Sequence, residues 1–488
     1  MNNNYIILEK INEVYMKVDC ADTGMTYELS EYFTFKVPGA EFMPTYRNRM
    51  WDGKIRLFNM WNKSLYVGLT HKLEEFCKER GYELLGLDDI LNRNKFTIED
   101  VVKEITDLKL PFNPRNYQVD AVLDGLNNNR MVMLSPTASG KSLIIYCLTQ
   151  LATEGRCLIV VPTTSLVEQM YKDFADYGCD VENQCHRIYS GRDKETDKRI
   201  IITTWQSVYK LPKSWYEGIK CVIGDEAHLF KATSLKTLME KCVDADKRYG
   251  TTGTLDGSKT HALMLEGLFG EVRQFTTSKK LMKEGKLANL DISCIMLNYN
   301  DKVKQETKKY TYQEEMDFIC SFEPRNNFIS NLALDQKGNT LLLFQYVEKH
   351  GKLLYEQIIE KKKKNRKVFF VYGGVNADKR EEIRAITEKE KDAIIVASYG
   401  TFSTGINIRN LHNVVFSSPS KSRIRVLQSI GRGLRQGTDK STATLYDIAD
   451  DLTWKTKQNF TLRHFMERIN IYNEEEFDYE IKNLPIES

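Results

Sequence analysis

The ten cysteines of this 488-residue chain form no C-x-x-C pair. The nearest two, Cys179 and Cys185, have no partner cluster, and Cys157 and Cys221 fall in apolar, strand-like runs. That pattern argues against a zinc site and for reduced core thiols in a reducing cytosol. No apolar run approaches the roughly 20 residues that a membrane-spanning helix needs. The opening residues Met1 to Tyr5 lack the pattern of a secretory leader, so no membrane partner and a cytoplasmic location are expected. There is no low-complexity tract, and the one run of like charge, Lys361 to Lys364, reads as a solvated helix end. Net charge is also scarce: 70 Lys+Arg against 67 Asp+Glu leave +3, so any surface for a polyanion has to be a local patch. Hydrophobic (41%) and charged (28%) contents are ordinary for a globular protein, and the length suggests about three domains.

What the chain does have is a change of rhythm. Residues 1–95 read as a small α+β domain. Alternating apolar positions in Tyr5–Leu8 and Tyr32–Val37 predict short strands. Asp52-Gly53, between two strand-like halves of Met50–Phe58, predicts a hairpin. A helical pattern over Leu73–Arg80 stops at Gly81, and Lys95–Lys109 reads as a linker with a short helix. From Pro111 onward, apolar strands (Met131–Leu134, Cys157–Val161, Ile200–Thr203, Cys221–Gly224, Tyr249–Thr252) alternate with amphipathic helices. The same rhythm returns in Thr340–Phe344, Lys367–Val371, Ala393–Ala397, Asn413–Ser417 and Thr442–Asp447. Such alternation predicts two α/β lobes with parallel sheets, 96–275 (with its linker) and 338–450. Residues 276–337 read as a bridging segment, and 451–488 as a helical tail ending in the acidic stretch Glu474–Asp478.

Two short segments carry the chemistry. Ser135-Pro-Thr-Ala-Ser-Gly140-Lys141-Ser142 joins an apolar strand to an apolar helix. Backbone N–H groups and the helix dipole of such a loop cradle phosphates, with Ser135, Thr137, Ser139 and Gly140 lining it, Lys141 reaching the outer phosphates and Ser142 able to ligate Mg²⁺. Ser135 stands where the first glycine of the usual pattern would be. Asp225-Glu226-Ala227-His228 follows the strand Cys221–Gly224. Asp225 is the second Mg²⁺ anchor, and Glu226 orients or deprotonates the attacking water. The pair reads as a motor that hydrolyses a nucleoside triphosphate.

Around these segments, motifs over about 112–450 occur in the order found in superfamily 2 helicases and translocases, which this region resembles. Arg115-Asn-Tyr-Gln118 resembles the adenine-sensing motif and implies ATP. Val161–Ser165 and Thr203–Ser207 resemble two strand-contacting motifs, which implies that Pro162, Thr163, Thr164, Thr203 and Gln206 grip the phosphates of one strand. Thr252-Gly-Thr254 stands at the motif that couples hydrolysis to movement. Leu343-Phe344 and Ser398–Asn407 match later motifs, the latter adding Thr404 and Gly405 to the strand contacts. Gln428-Ser-Ile-Gly431-Arg432-Gly-Leu-Arg435 resembles the last motif, in a form leaning towards DNA enzymes. Arg432 and Arg435 lie three apart on one helical face, as arginine fingers reaching the γ-phosphate would. His228 is expected to couple the lobes through Gln428 rather than touch nucleotide.

The resemblance implies an α/β fold of two RecA-like parallel-sheet motor lobes, a small α+β N-terminal domain and a short helical C-terminal tail. Over its whole length the chain is similar to the recombination and repair helicases of T-even phages. That implies a monomeric, ATP- and Mg²⁺-dependent DNA helicase remodelling forks, four-way junctions and R-loops, with branched, single-stranded, duplex and RNA–DNA hybrid substrates. An RNA helicase, a restriction-type DNA translocase subunit and an ATP-gated clamp without turnover are the alternatives. No nuclease cluster is present, and the 38 residues after Asp450 are too few for a nuclease domain. In the N-terminal domain, Arg47, Arg49, Trp51 and Arg56 interleave cations with an aromatic in a way that suits phosphate and base contacts, and a duplex or junction grip is expected there.

Overall fold

The computed structural model describes residues 4–91, 93–230, 232–401, 408, 410–434 and 442–486. The chain divides into two compact units, one built almost wholly from the chain up to Phe275 and the other from Thr276 onward.

The first unit opens with six short strands: β1 (Tyr5–Lys10), β2 (Tyr15–Cys20), β3 (Thr34–Lys36), β4 (Lys54–Arg56), β5 (Ser64–Tyr66) and β6 (Glu83–Leu85). Four of them form a sheet in the order β5-β2-β1-β6. Alternation sets its register: Ile6, Leu8, Met16 and Val18 are buried, while Ile7 faces solvent. Two helices bury Met25, Leu29, Leu73 and Phe76 in the same core; the second, Thr70–Arg80, ends at a left-handed Gly81 as expected.

The expected hairpin at Asp52-Gly53 does not form. β4 pairs instead with β3, antiparallel, eighteen or more residues upstream. Asp52 makes a local turn, accepting from the Lys54 N–H at 3.1 Å, which mimics a hairpin signal without supplying one.

The first lobe contains β7 (Arg130–Leu134), β8 (Arg156–Val161), β9 (Cys185–Ile188), β10 (Ile200–Thr204), β11 (Ile219–Asp225), β12 (Lys247–Thr252) and β13 (Val272–Gln274). All neighbours are parallel, in the order β13-β7-β12-β11-β8-β10-β9. The central strands are buried on both faces, as the near-continuous apolar runs require. Helices 116–128, 141–151 and 164–176 cover one face. Helices 233–241 and 259–269 cover the other, whose core runs on into the N-terminal domain.

That domain is firmly seated on the lobe. Glu13 pairs with Arg130 at 2.8 Å, and the hydroxyls of Tyr15 and Tyr66 both donate to Glu240 at 2.6 Å. A Cβ on Gly68 would lie 2.1 Å from the Glu266 carbonyl oxygen, so only glycine permits that approach.

The second unit holds β14 (Asn289–Asn298), β15 (Thr340–Phe344), β16 (Val368–Val371), β17 (Ile394–Ser398), β18 (Asn413–Phe416), β19 (Thr442–Asp451) and β20 (Tyr479–Pro485). They form a parallel sheet in the order β16-β17-β15-β18-β19-β14-β20. The segment read as a bridge supplies β14, and the acidic tail leads into the edge strand β20, so both complete the second sheet. The tail helix spans Phe460–Glu474 rather than starting near Leu452, because Trp454 and Lys457 first close a small turn.

Two fully buried ion pairs fasten these additions. Arg325 forks onto Asp450 at 2.6 and 2.9 Å, with the Tyr299 hydroxyl donating to the same carboxylate. Arg468 forks onto Asp447, which also accepts from Tyr472. In both, the carboxylate keeps the guanidinium charged despite its burial.

Two histidines in this unit are held neutral. Burial, with Arg325 adding repulsion, pushes His350 well below its usual range, and burial pushes His464 down to about 4. The unfolded chain takes up these protons near pH 6.5, before the folded chain does. The associated stability is therefore full above about 6.5 and is lost as pH falls towards 4. Chemical unfolding of the protein across this window should show the loss, reduced in His464→Gln; a flat profile would contradict the assignment.

Candidate nucleotide site and nucleic-acid surface

The phosphate-type loop leaves β7 at Leu134 and enters the helix Lys141–Leu151. Its backbone needs two left-handed residues, Ala138 (φ 65°) and Gly140 (φ 81°). The Gln118 side-chain amide donates to the Gly140 carbonyl at 3.4 Å, and Gln118 Oε1 accepts from the Arg115 N–H at 2.8 Å. The two residues expected to sense adenine are thus tied to the loop. A Cβ at Gly140 would stand 2.4 Å from Gln118 Nε2. Gly140→Ala should weaken binding of a fluorescent ATP analogue on the order of tenfold, since the left-handed backbone alone costs about 1–2 kcal/mol. Unchanged affinity would contradict this account of the loop.

Lys141 Nζ donates to the Ser135 carbonyl at 3.1 Å, across the mouth of the loop. The Ser142 hydroxyl lies 2.9 Å from the Tyr177 hydroxyl, a partner 35 residues away that no motif announces. Ser135 and Ser139 are buried, and Thr137 is half-buried.

β11 ends at Asp225, beside the C-terminal end of β12. Thr251 donates to Asp225 Oδ1 at 2.7 Å. Burial first, then the adjacent Glu226 charge, raises the Asp225 carboxyl above its ordinary range. Glu226 takes a left-handed backbone (φ 53°), unusual for glutamate and of a kind found where function over-determines geometry. His228 Nδ1 lies 3.2 Å from its carboxylate.

Thr252 gathers these parts together. Its carbonyl accepts from the Ser135 N–H at 2.9 Å. Its hydroxyl donates to the Thr254 carbonyl at 2.9 Å, accepts from the Thr254 N–H at 3.3 Å, and lies 3.0 Å from His228 Nδ1. The single hydroxyl proton is used on Thr254, so His228 is the donor and carries its proton on Nδ1. Behind it, the His228 carbonyl meets His261 Nε2 at 2.9 Å, and His261 Nδ1 sits 2.9 Å from Asp256. Phosphate loop, acidic pair and Thr252-Gly-Thr254 form one hydrogen-bonded unit. Thr251 and His261 were not singled out from sequence; Thr251 meets Asp225 only across the pairing of β12 with β11.

The strand-contacting residues separate into two groups. Pro162 and Thr163 are half-exposed and Thr164 exposed; Thr163 caps the helix Thr164–Asp176. Gln206 is exposed on the short helix Trp205–Val208. Thr203 is different. It is fully buried, and its hydroxyl donates to the Ile188 carbonyl at 2.9 Å, so that hydroxyl is withdrawn from any surface. In the second unit, Gln428 lies half-buried on the helix Arg423–Gly433. The side chain of Arg432, and Arg435, Thr404 and Gly405 entirely, lie outside the described residues.

In the N-terminal domain Arg47 and Arg49 are exposed. Arg56 is engaged by Asp52 at 2.5 and 3.3 Å, and that fork holds the Asp52 carboxyl down to about 2. Trp51 donates its ring N–H to the Lys54 carbonyl and is only half-exposed. The aromatic that stands out is Trp61, 97% exposed, with Met50 (79%) and Phe42 (70%) also in solvent. A tryptophan on a loop of asparagines and lysines was the sequence signal for that exposure.

All ten cysteines are free thiols, Cys20 half-buried and the others buried. Among the described residues no helix is long and apolar enough to cross a membrane.

Comparison with known proteins agrees along the whole chain. Residues 8–86 match the family described as DNA helicase UvsW, N-terminal. Residues 111–257 match the type III restriction enzyme res subunit family, and 324–437 the helicase conserved C-terminal domain. The chain is 35% identical to the ATP-dependent DNA helicase uvsW of enterobacteria phage T4, covering 96% of this chain and 97% of that one. The crystal structure of T4 UvsW aligns over 99% of both chains, with 32% identity and a TM-score of 0.53. A type ISP restriction-modification enzyme, LlaBIII bound to DNA, shares the fold at 15% identity and a TM-score of 0.57, over 84% of this chain and 34% of that one. The chain belongs to the UvsW family of ATP-dependent DNA helicases.

Proposed function

We propose that the protein unwinds or branch-migrates forks, four-way junctions and R-loops during recombination and repair, as a monomer in the host cytoplasm, driven by Mg²⁺-dependent ATP hydrolysis. The observation that carries the reading is the Thr252 hub. A change at the phosphates is felt at Ser135, and through Thr252 at His228 and Thr254, without any slack link between them.

Arg115 and Gln118 recognise adenine, and Ser135 to Ser142 wrap the phosphates. Lys141 neutralises the outer phosphates. Asp225 and Ser142 would hold Mg²⁺, which supplies charge neutralisation at the phosphates when bound. Two adjacent carboxylates, one raised by burial and by the charge of the other, suit a divalent cation. Glu226, fixed by its backbone and by His228, orients the attacking water and takes its proton. Gln428, Arg432 and Arg435, the residues of the last motif, would act on the transferred phosphate, the arginines meeting charge that develops on it.

Pro162, Thr163, Thr164 and Gln206, with Thr404 and Gly405, hold one strand by its phosphates; Thr203 contributes through its backbone alone. Such contacts position a strand without reading its sequence. Arg47 and Arg49, with Trp51 and Arg56, grip duplex near the branch, and the exposed Trp61 stacks on an unpaired base.

Strand release from a synthetic fork and a four-way junction tests the reading: both should depend on ATP and be lost in Lys141→Ala. Release of an RNA duplex at an equal or greater rate would favour the RNA-helicase alternative. Arg47→Ala combined with Arg49→Ala should flatten the dependence of log affinity for a junction on log salt by about 2, roughly one per phosphate contact. An unchanged slope would remove these residues from the interface.

A further inference from the structure

The second unit contains a cavity of about 340 Å³ that none of the helicase motifs claims as a whole. It lies at a topological switch point. After β15 the chain turns to β16 on one side through the helix Lys352–Lys361. After the neighbouring β18 it turns to β19 on the other side through the helix Arg423–Gly433. Crevices at the carboxyl ends of two such strands are where open α/β sheets hold ligands. Gln345, just past β15, and the turn Pro419–Ser422, just past β18, line this one.

Its walls are chemically divided. One is aromatic: Tyr312, 38% exposed, lies with its ring centroid 6.1 Å from Phe460 and 5.2 Å from His464. The other is cationic. Arg425 is held by Gln345 Oε1 at 3.0 Å, and Lys421 is exposed at the turn. Among the described residues no carboxylate lines the cavity. Glu315, under the N-terminus of the helix Phe460–Glu474, is consumed by the N–H groups of Phe460 and Thr461 and by the Thr461 hydroxyl.

Between the walls, His464 Nδ1 is buried with no hydrogen-bond partner among the described residues, and the ring is neutral at physiological pH. Gln345 is itself fixed, its N–H donating to Ser418 Oγ, which also meets His350 Nδ1 at 2.8 Å. A single turn of π-helix, Val347–Gly351, follows at once, a distortion frequent at functional sites.

An aromatic wall, a two-cation wall and an unsatisfied ring nitrogen between them match the parts of a nucleotide. We propose that this cavity takes one nucleotide of a nucleic-acid strand, the base against Tyr312 and Phe460 with its edge at His464, and the phosphate against Lys421 and Arg425. The proposal rests on the nucleic-acid motor reading above and adds to it an aromatic foothold on the second lobe, built from the bridging segment and the tail rather than from the helicase motifs.

The test uses the intact protein with a short single strand carrying 5-iododeoxyuridine. Irradiation should crosslink the strand at Tyr312, Phe460 or His464. Lys421→Glu should weaken strand binding on the order of tenfold at fixed salt, Lys421→Arg should restore it, and thermal unfolding of both should match the parent. Free 5-iodo-dUMP forms the second arm: crosslinking there by the mononucleotide but not the strand assigns the same site to free nucleotides. The proposal is overturned if neither probe labels these residues and Lys421→Glu binds as the parent does. ATP hydrolysis stimulated by single strands in the parent protein keeps the two readings apart. Stimulation without labelling of the cavity removes the foothold alone, whereas absence of stimulation removes the motor reading itself.

Discussion

Glu226→Gln is expected to lower the turnover of ATP by roughly 10²–10⁴-fold while ATP affinity is retained. The amide keeps the shape of the carboxylate and its contact to His228 but cannot take a proton from water. The left-handed backbone at Glu226 and the 3.2 Å approach of His228 hold the side chain in one place, so little rearrangement can rescue it. Single-turnover hydrolysis alongside equilibrium binding of a fluorescent ATP analogue separates chemistry from affinity. A loss of affinity with turnover unchanged would move Glu226 out of the catalytic role and into nucleotide binding.

The largest effect on stability is expected at Asp450. Its carboxylate is fully buried and neutralises Arg325, whose side chain is equally buried. Asp450→Ala leaves that guanidinium charged with only the Ser417 carbonyl to accept from it among the described residues, and breaking such a pair costs about 3–5 kcal/mol. Denaturant unfolding should show the loss in the transition that reports the second unit. The double replacement Arg325→Met with Asp450→Leu should recover much of it, because the cost belongs to the stranded charge rather than to the missing bond. A loss below about 1 kcal/mol in the single variant would mean that water reaches this site.

Much of the architecture was legible because most of the parallel strands are buried on both faces and therefore read as continuous apolar runs. The five predicted strands of each lobe all form. Those overlooked sit at or near sheet edges. β9 carries His186 and Arg187, and β20 carries Glu480 and Lys482, side chains an outer strand tolerates and a central strand would not. β14, next to the edge strand β20, opens with Asn289 and Asp291 in a charged stretch, which hid the buried run from Ile292 to Ile295. Long-range pairings were not legible at all. Nothing local tells Lys54–Arg56 to pair with Thr34–Lys36, or Arg325 to find Asp450.

The site divides along similar lines. Lys141, Asp225 and Glu226 announce themselves because phosphate binding and paired carboxylates impose fixed local spacing. The burial of the Thr203 hydroxyl was not legible, because its motif gives a residue type at a strand end but not which way the strand faces. The Thr252 hub and the Ser142–Tyr177 contact depend on neighbours brought together only by the sheet and its helices.

If this nucleotide site powers a junction-directed motor, steady-state ATP hydrolysis by the intact protein should depend on the shape of the nucleic acid offered to it. With a four-way DNA junction, linear duplex, single-stranded DNA and structured RNA in turn, and Lys141→Ala as the blank, the junction should stimulate hydrolysis most and the variant should show no stimulation. Stimulation by RNA equal to or above that by the junction would rule out a junction-directed DNA motor.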